Sequence, residues 1–162
     1  MSNYMAIATV TGTLQNVLGN AASVVSGATV SVTRPDLSAS SPTSAGINVF
    51  LYQVMPNPAY RNADLPMRRA DGKLAQRPRE ALVLRYLLSF FGEETTLETH
   101  LLLGAAVRQL HSQPTLTKQQ IEFAVSKKTE LAGSDLAHQF DLIRFTPLSL
   151  SLEDMSKLWS TL

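Results

Sequence analysis

Two apolar runs set the fold. Asn-Val-Phe-Leu-Tyr-Gln-Val-Met fills Asn48 to Met55, and Ala-Leu-Val-Leu-Arg-Tyr-Leu-Leu-Ser-Phe-Phe fills Ala81 to Phe91. Both are rich in the β-branched and aromatic residues that suit a pleated surface. Ile47, Val49 and Leu51 oppose Phe50, Tyr52 and Val54 in the first run. In the second, Leu82, Leu84, Tyr86, Leu88 and Phe90 oppose Val83, Leu87 and Phe91. Strands apolar on both faces need cover on both faces, which predicts interior strands under helices or under a neighbouring subunit.

Between the runs lies a stiff, basic segment at 56–79, opened by Pro56 and Pro58 and expected to project as a loop or hairpin. From Arg61 to Arg79 it holds Arg61, Arg68, Arg69, Lys73, Arg77 and Arg79 against Asp64 and Asp71, a net charge of +4. The rest of the chain carries eight basic and eleven acidic residues, a net of −3. A basic projection on a mildly acidic body favours docking to another protein or to another copy. Asp71-Gly72 signals a tight turn, with Arg68, Arg69 and Lys73 beside its tip.

Outward from this pair, helices are predicted by period. Ile7, Val10, Leu14, Val17 and Leu18 share one face of a helix from about Tyr4 to Leu18, ended by Gly19-Asn20. A helix capped by Thr96 with Glu98 in its first turn carries Leu97, Leu101, Ala105 and Leu110 as its apolar stripe, widened by Leu102 and Val107. Pro114 ends it. Thr117 and Gln120 form a capping box for a short helix, and Ser151-Leu152-Glu153-Asp154 starts another, with Met155, Leu158 and Trp159 on its apolar side. Ala28 to Thr33 and Phe140 to Phe145 read as further strands, and 34–46 as a mobile polar loop. The outcome is one α/β domain of the α+β kind over 1–162: a central, mostly antiparallel sheet with helices packed on it.

Composition narrows the function classes. At 162 residues the chain can bury a core without staples, and it has no cysteine for disulfides or thiolate metal sites. The N-terminus lacks the basic and apolar regions of a signal peptide. The longest apolar run, interrupted by Arg85, is far short of the roughly 20 residues a spanning helix needs.

Catalytic patterns are missing too. His100 and His111 lie about 16 Å apart along one helix and cannot share a metal. Asp135 and His138 have no fixed serine to serve, since no Gly-x-Ser-x-Gly elbow exists. Glu93-Glu94 and Glu153-Asp154 sit where helix starts favour acids. No phosphate-cradling glycine loop or His-Glu-x-x-His pattern occurs, so the expectation is a protein that is no enzyme and takes no cofactor, metal or small-molecule substrate. Nucleic-acid binding by the 61–79 segment is the alternative; only Tyr60 and Tyr86 flank six basic residues there, too few aromatics for a single-strand platform, and no nucleic acid is expected.

Several separated motifs carry a resemblance. They are Tyr4 with Ala6-Ile7-Ala8, Val10-Thr11 and Thr13-Leu14-Gln15; Asn48-Val49 with Leu51-Tyr52-Gln53-Val54; Arg61-Asn62 with Asp64-Leu65-Pro66; Arg68-Arg69 with Asp71-Gly72; and Arg77-Pro78. Leu87-Leu88 with Phe90, Val107-Arg108 with Leu110-His111, and Thr146 to Leu150 leading to Ser156 to Trp159 complete the set. In this order they resemble the cap, or tail-terminator, proteins of contractile injection systems of the antifeeding-prophage and virulence-cassette type.

The resemblance implies a phage tail-terminator-like fold and a homohexameric ring that seats on the last layer of tube protein, engages the last layer of sheath protein and ends the growth of both. It implies assembly in the cytoplasm within a large particle. Arg61, Asp64, Arg68, Arg69, Lys73, Arg77, Arg79 and Trp159 are the residues expected at subunit, tube or sheath contacts. Two departures stand out. Family members usually continue past the Leu158-Trp159 segment, so a missing sheath-binding tail is expected, and Phe91 stands where Tyr is expected.

Overall fold

The computed structural model describes residues 3–35, 44–60, 71, 73, 80–139 and 141–161. Among these, three strands form one sheet: β1 (Thr29–Ser31), β2 (Gly46–Pro56) and β3 (Leu82–Phe91), in the order β1-β2-β3. β2 pairs parallel with β1 and antiparallel with β3. The helices are α1 (Ala6–Ala22), α2 (Glu98–Ser112), α3 (Lys118–Lys127) and α4 (Leu152–Thr161). The expected α+β class, a sheet with helices packed on it, is what the chain adopts.

The core forms where α1 crosses the sheet. Leu14, Leu18, Ala22 and Val25 meet Ile47 and Val49 of β2 and Leu102 and Ala106 of α2, with Tyr86, Leu88 and Phe90 of β3 alongside. On its other side α1 presents Val10 and Val17 to Leu116, Ile121 and Leu136. This double burial explains why α1 runs through the stop expected at Gly19-Asn20: Ala21 and Ala22 lie in the core beyond it. Packing of that last turn outweighs the roughly 1 kcal/mol that a helical glycine costs relative to alanine.

The two long strands are not equivalent. β2 is central and β3 lies at the end of the strand order. Between Leu51 and Gln53 the register shifts, leaving Tyr52 as an extra residue. Such a bulge reverses the alternation. Val54 now pairs with Leu84 on the side of Ile47, Val49 and Leu51, which corrects the face expected for it. Asn48, Phe50, Gln53 and Met55, opposite Ser89, Leu87, Arg85 and Val83, form the other side. Of the two kinds of cover expected, helices supply one side only: the helical residues of the core meet the sheet on a single face among the described residues.

One polar side chain is buried on purpose between β1 and β2. Asn48 is fully buried, and its Oδ1 accepts from the Ser31 hydroxyl (3.0 Å), the Thr33 backbone N–H (3.0 Å) and the Thr33 hydroxyl (3.1 Å). Its Nδ2 donates to the Thr33 carbonyl at 3.0 Å. A buried amide with both ends partnered fixes register where three strand pairs alone would hold β1 weakly. Gly46 permits the approach of these strands, since a Cβ there would lie 2.6 Å from the Thr29 carbonyl oxygen.

Local expectations met mixed outcomes. Thr117 and Gln120 form the capping box, with Gln120 N–H donating to Thr117 Oγ1 (3.2 Å) and Thr117 N–H to Gln120 Oε1 (2.9 Å). Ser151 Oγ accepts from the Asp154 N–H at 3.1 Å, as expected for the start of α4. Thr96 does not cap α2. Leu97 takes the N-cap place in the left-handed region (φ 58°), and Glu98 reaches back to accept from the Glu93 N–H at 2.9 Å. The buried stripe of α2 is correspondingly Leu102-Ala106 with Leu110, while Leu97, Leu101 and Val107 face outward. The strand expected at 140–145 is absent among the described residues. Ile143 and Phe145 bond instead to the 114–116 segment, through Leu116 N–H to the Ile143 carbonyl (2.9 Å) and Phe145 N–H to the Pro114 carbonyl (2.7 Å). The expected strand Ala28 to Thr33 shortens to Thr29–Ser31, and most of the polar 34–46 loop lies outside the described residues.

Candidate interaction surfaces

Pro56 pairs with Leu82, and the Asn57 N–H donates to the Ala81 carbonyl at 2.8 Å, so the basic segment leaves and re-enters at one end of the β2–β3 ladder. Arg61, Asp64, Arg68, Arg69, Arg77 and Arg79 lie outside the described residues. Within the segment, Asp71 Oδ1 accepts from the Lys73 N–H at 3.0 Å, the side-chain bond of an Asx turn, and Lys73 is exposed. Trp159 sits at the other end of the chain on α4. The described residues do not bring it together with Lys73.

α4 carries an apolar face that the core does not use. Leu152, Met155 and Trp159 recur at spacings of three and four, which places them on one helical face. That face is open: Leu152 is 86% exposed and Trp159 55%, and no residue of α4 belongs to either core cluster. Lys157 Nζ pairs with Glu153 Oε1 at 2.6 Å on the polar side, an exposed pair worth well under about 1 kcal/mol.

A second open apolar face lies on α2, on residues whose period predicts the core stripe. Leu97, Leu101, Leu103 and Val107 are all exposed, and Gly104 lies among them with nothing within 4 Å of where its Cβ would be. His100 and His111 are also on this exposed side. The signal for this surface was present in the sequence as an excess of apolar residues around α2; only packing chose which of them to bury.

The places considered for chemistry are occupied by structural bonds. Asp135 Oδ1 accepts from the Asn3 N–H at 2.7 Å, and Ser134 Oγ accepts from the Thr9 hydroxyl at 2.7 Å. Asp135 and the exposed His138 are joined through the backbone, where the His138 N–H donates to the Asp135 carbonyl at 3.0 Å; no side-chain hydrogen bond links them among the described residues. Glu93, expected at a helix start, instead sits in the turn before α2, and the backbone N–H and then the hydroxyl of Thr95 hold its carboxyl below the usual range. Burial pushes the Tyr86 phenol up, offset in part by its 2.8 Å hydrogen bond to the Thr11 hydroxyl. That bond ties β3 to α1. Among the described residues no cluster of His, Asp or Glu could hold a metal ion, and no helix is long and apolar enough to cross a membrane.

One shallow cleft of about 450 Å³ opens between α1, β1 and α3. It is lined by Gln15, Asn16, Phe123, Lys127 and Lys128 among others. Lys128 Nζ donates to Gln15 Oε1 (2.6 Å) and Gln15 Nε2 to the Val30 carbonyl (2.6 Å), so its polar groups brace α3, α1 and β1.

The molecule is thus a two-layer α+β domain whose distinctive surface features are unpartnered apolar helix faces, the type of surface that assembly subunits carry. Comparison with known families specifies it further. The Pvc16 N-terminal domain family matches residues 8–162, and the chain belongs to that family. This makes it a component related to the contractile injection systems of the phage-tail-like virulence-cassette and antifeeding-prophage type. No curated protein matches the chain.

Proposed function

We propose that this protein is the cap, or tail terminator, of its injection system: a homohexameric ring that seats on the last layer of inner tube protein, binds the last layer of sheath protein and ends their polymerisation. The observation that carries this reading is the family match over residues 8–162, joined to the ordered motifs whose resemblance is to cap proteins. A polymer end is sealed when one face of a ring complements the growing surface and the other face does not reproduce it, with closed cyclic symmetry around the axis. No covalent step, cofactor or small-molecule substrate enters this mechanism. The half-buried sheet side carrying Phe50, Met55, Val83 and Leu87, on which no helix of the core packs among the described residues, supports it as further contact surface. In this reading Arg61, Asp64, Arg68, Arg69, Lys73, Arg77, Arg79 and Trp159 lie at subunit, tube or sheath contacts, and the particle assembles in the cytoplasm.

Deleting the protein tests the role. Particles of poorly controlled length, or with sheaths contracted early, are expected by electron microscopy, with tube and sheath subunits still folded; normal particles would refute capping. The combined change Arg68→Glu and Arg69→Glu is expected to weaken assembly without unfolding the subunit. Each exposed pair contributes at most about 1 kcal/mol, but a ring repeats the loss.

A further inference from the structure

Gly104 lies at the centre of the outward side of α2, opposite the buried Leu102-Ala106 stripe. Residues three, four and seven positions away on a helix share its face. For Gly104 these are Leu101 and Val107, His100 and Arg108, Leu97 and His111, and all six are exposed. A glycine here costs about 1 kcal/mol of helix stability relative to alanine. Nothing among the described residues requires it, because the space around its missing side chain is open to 4 Å there. The result is a notch with an apolar rim and a basic character: Arg108 has no carboxylate partner among the described residues, and no acid occupies those six positions.

α4 has the complementary form. Its open face offers Leu152, Met155 and Trp159, and its first turn carries Glu153 and Asp154. With Trp159 set at Gly104 and the helices antiparallel, the first turn of α4 lies roughly 8–9 Å further along, and Arg108 and His111 lie roughly 6–10 Å from Gly104 in the same direction. The negative C-terminal end of α2 then meets the positive N-terminal end of α4, and Glu153 and Asp154 flank that end on the side away from the contact, within reach only of a long side chain such as Arg108.

We propose that α4 of one copy docks antiparallel onto the outer face of α2 of a second copy, with Trp159 in the Gly104 notch. The two faces lie on different parts of one chain, so the contact is head-to-tail, the kind that generates a ring when its rotation closes. The inference rests on the ring reading above and assigns it a subunit contact.

Two features of the chain make the test clean: it has no cysteine and only one tryptophan. In the antiparallel pairing Ser156 stands level with Val107. Mixing full-length Ser156→Cys and Val107→Cys proteins under oxidising conditions should give disulfide-linked dimers at least tenfold in excess of either protein alone. Gly104→Leu should weaken self-association at least tenfold by sedimentation, abolish the blue shift of Trp159 emission that accompanies it, and leave thermal stability equal or higher. If rings form as well in Gly104→Leu as in the natural chain, the α2–α4 contact is overturned and the ring reading stands. If a Val107→Cys/Ser156→Cys double variant links only within one chain, α4 folds back on its own subunit and the proposal fails. Monomers alone, at every concentration and in the particle, overturn both readings.

Discussion

α1 and α4 are both amphipathic helices, yet they stand at opposite limits of burial. α1 has Leu18 fully buried and packs on the sheet with one side and on α3 with another, whereas α4 leaves Trp159 more than half exposed. Each has an apolar stripe at helical period, so period alone does not tell them apart. What differs is whether the chain supplies a complementary surface: α1 meets Ile47 and Val49, and α4 meets neither core. The comparison teaches that helical period marks an apolar face but not what covers it: for α1 the described residues supply the cover, and for α4 the proposed assembly does.

The sharpest way to test the contrast is to truncate one residue on each helix. Leu18→Ala should destabilise the subunit by about 2–5 kcal/mol, because it removes a buried side chain and leaves a cavity between α1 and β2. Urea unfolding followed by circular dichroism measures it, and a loss below about 1 kcal/mol would contradict the double burial of α1.

A smaller effect is expected at the sheet end of the same core. Asn48→Ala should cost about 2–3 kcal/mol, since the Thr33 N–H and carbonyl lose their buried partner. Amide hydrogen exchange should show β1 losing protection before β2.

Tyr86→Phe probes the α1–β3 tie and should cost about 1 kcal/mol near neutral pH. Its pH dependence is more telling. Burial raises the Tyr86 pKa above 10.0 in the folded state, so the phenol is neutral in both states well below that value and contributes its full stability there. As pH rises past 10.0 the unfolded chain loses the proton first, and stability falls until the folded pKa is reached. The natural chain should therefore lose more stability than Tyr86→Phe in alkaline solution. Equal alkaline slopes would contradict burial of the hydroxyl.

Trp159→Ala should change the unfolding free energy of the isolated subunit by less than about 0.5 kcal/mol, the range for surface changes. A loss comparable to that of Leu18→Ala would mean that α4 packs on its own subunit.

Much of this architecture was legible in advance. The runs at 47–54 and 82–91 declared a strand pair, the Thr117–Gln120 capping box marked the start of α3, and Ser151 that of α4, because each depends on residues a few positions apart. The candidate contact surface is legible in part: the spacing marks Trp159, while the face around Gly104 reads as core. Leu97, Leu101 and Val107 compete with Leu102 and Ala106 for one buried side of α2, and period alone does not rank them.

By itself, then, the sequence determined what depends on short-range spacing: helical and strand periods, caps, the charge asymmetry of 61–79, and the family motifs. The tertiary structure alone decided which stripe of α2 is buried, that Tyr52 bulges and turns Val54 over, that Asn48 clasps Thr33, and that residues 143–145 bond to 114–116 rather than to the sheet. These are long-range choices. Each is settled by which surfaces meet across a folded chain, and local spacing leaves such pairings nearly equal in free energy until packing separates them.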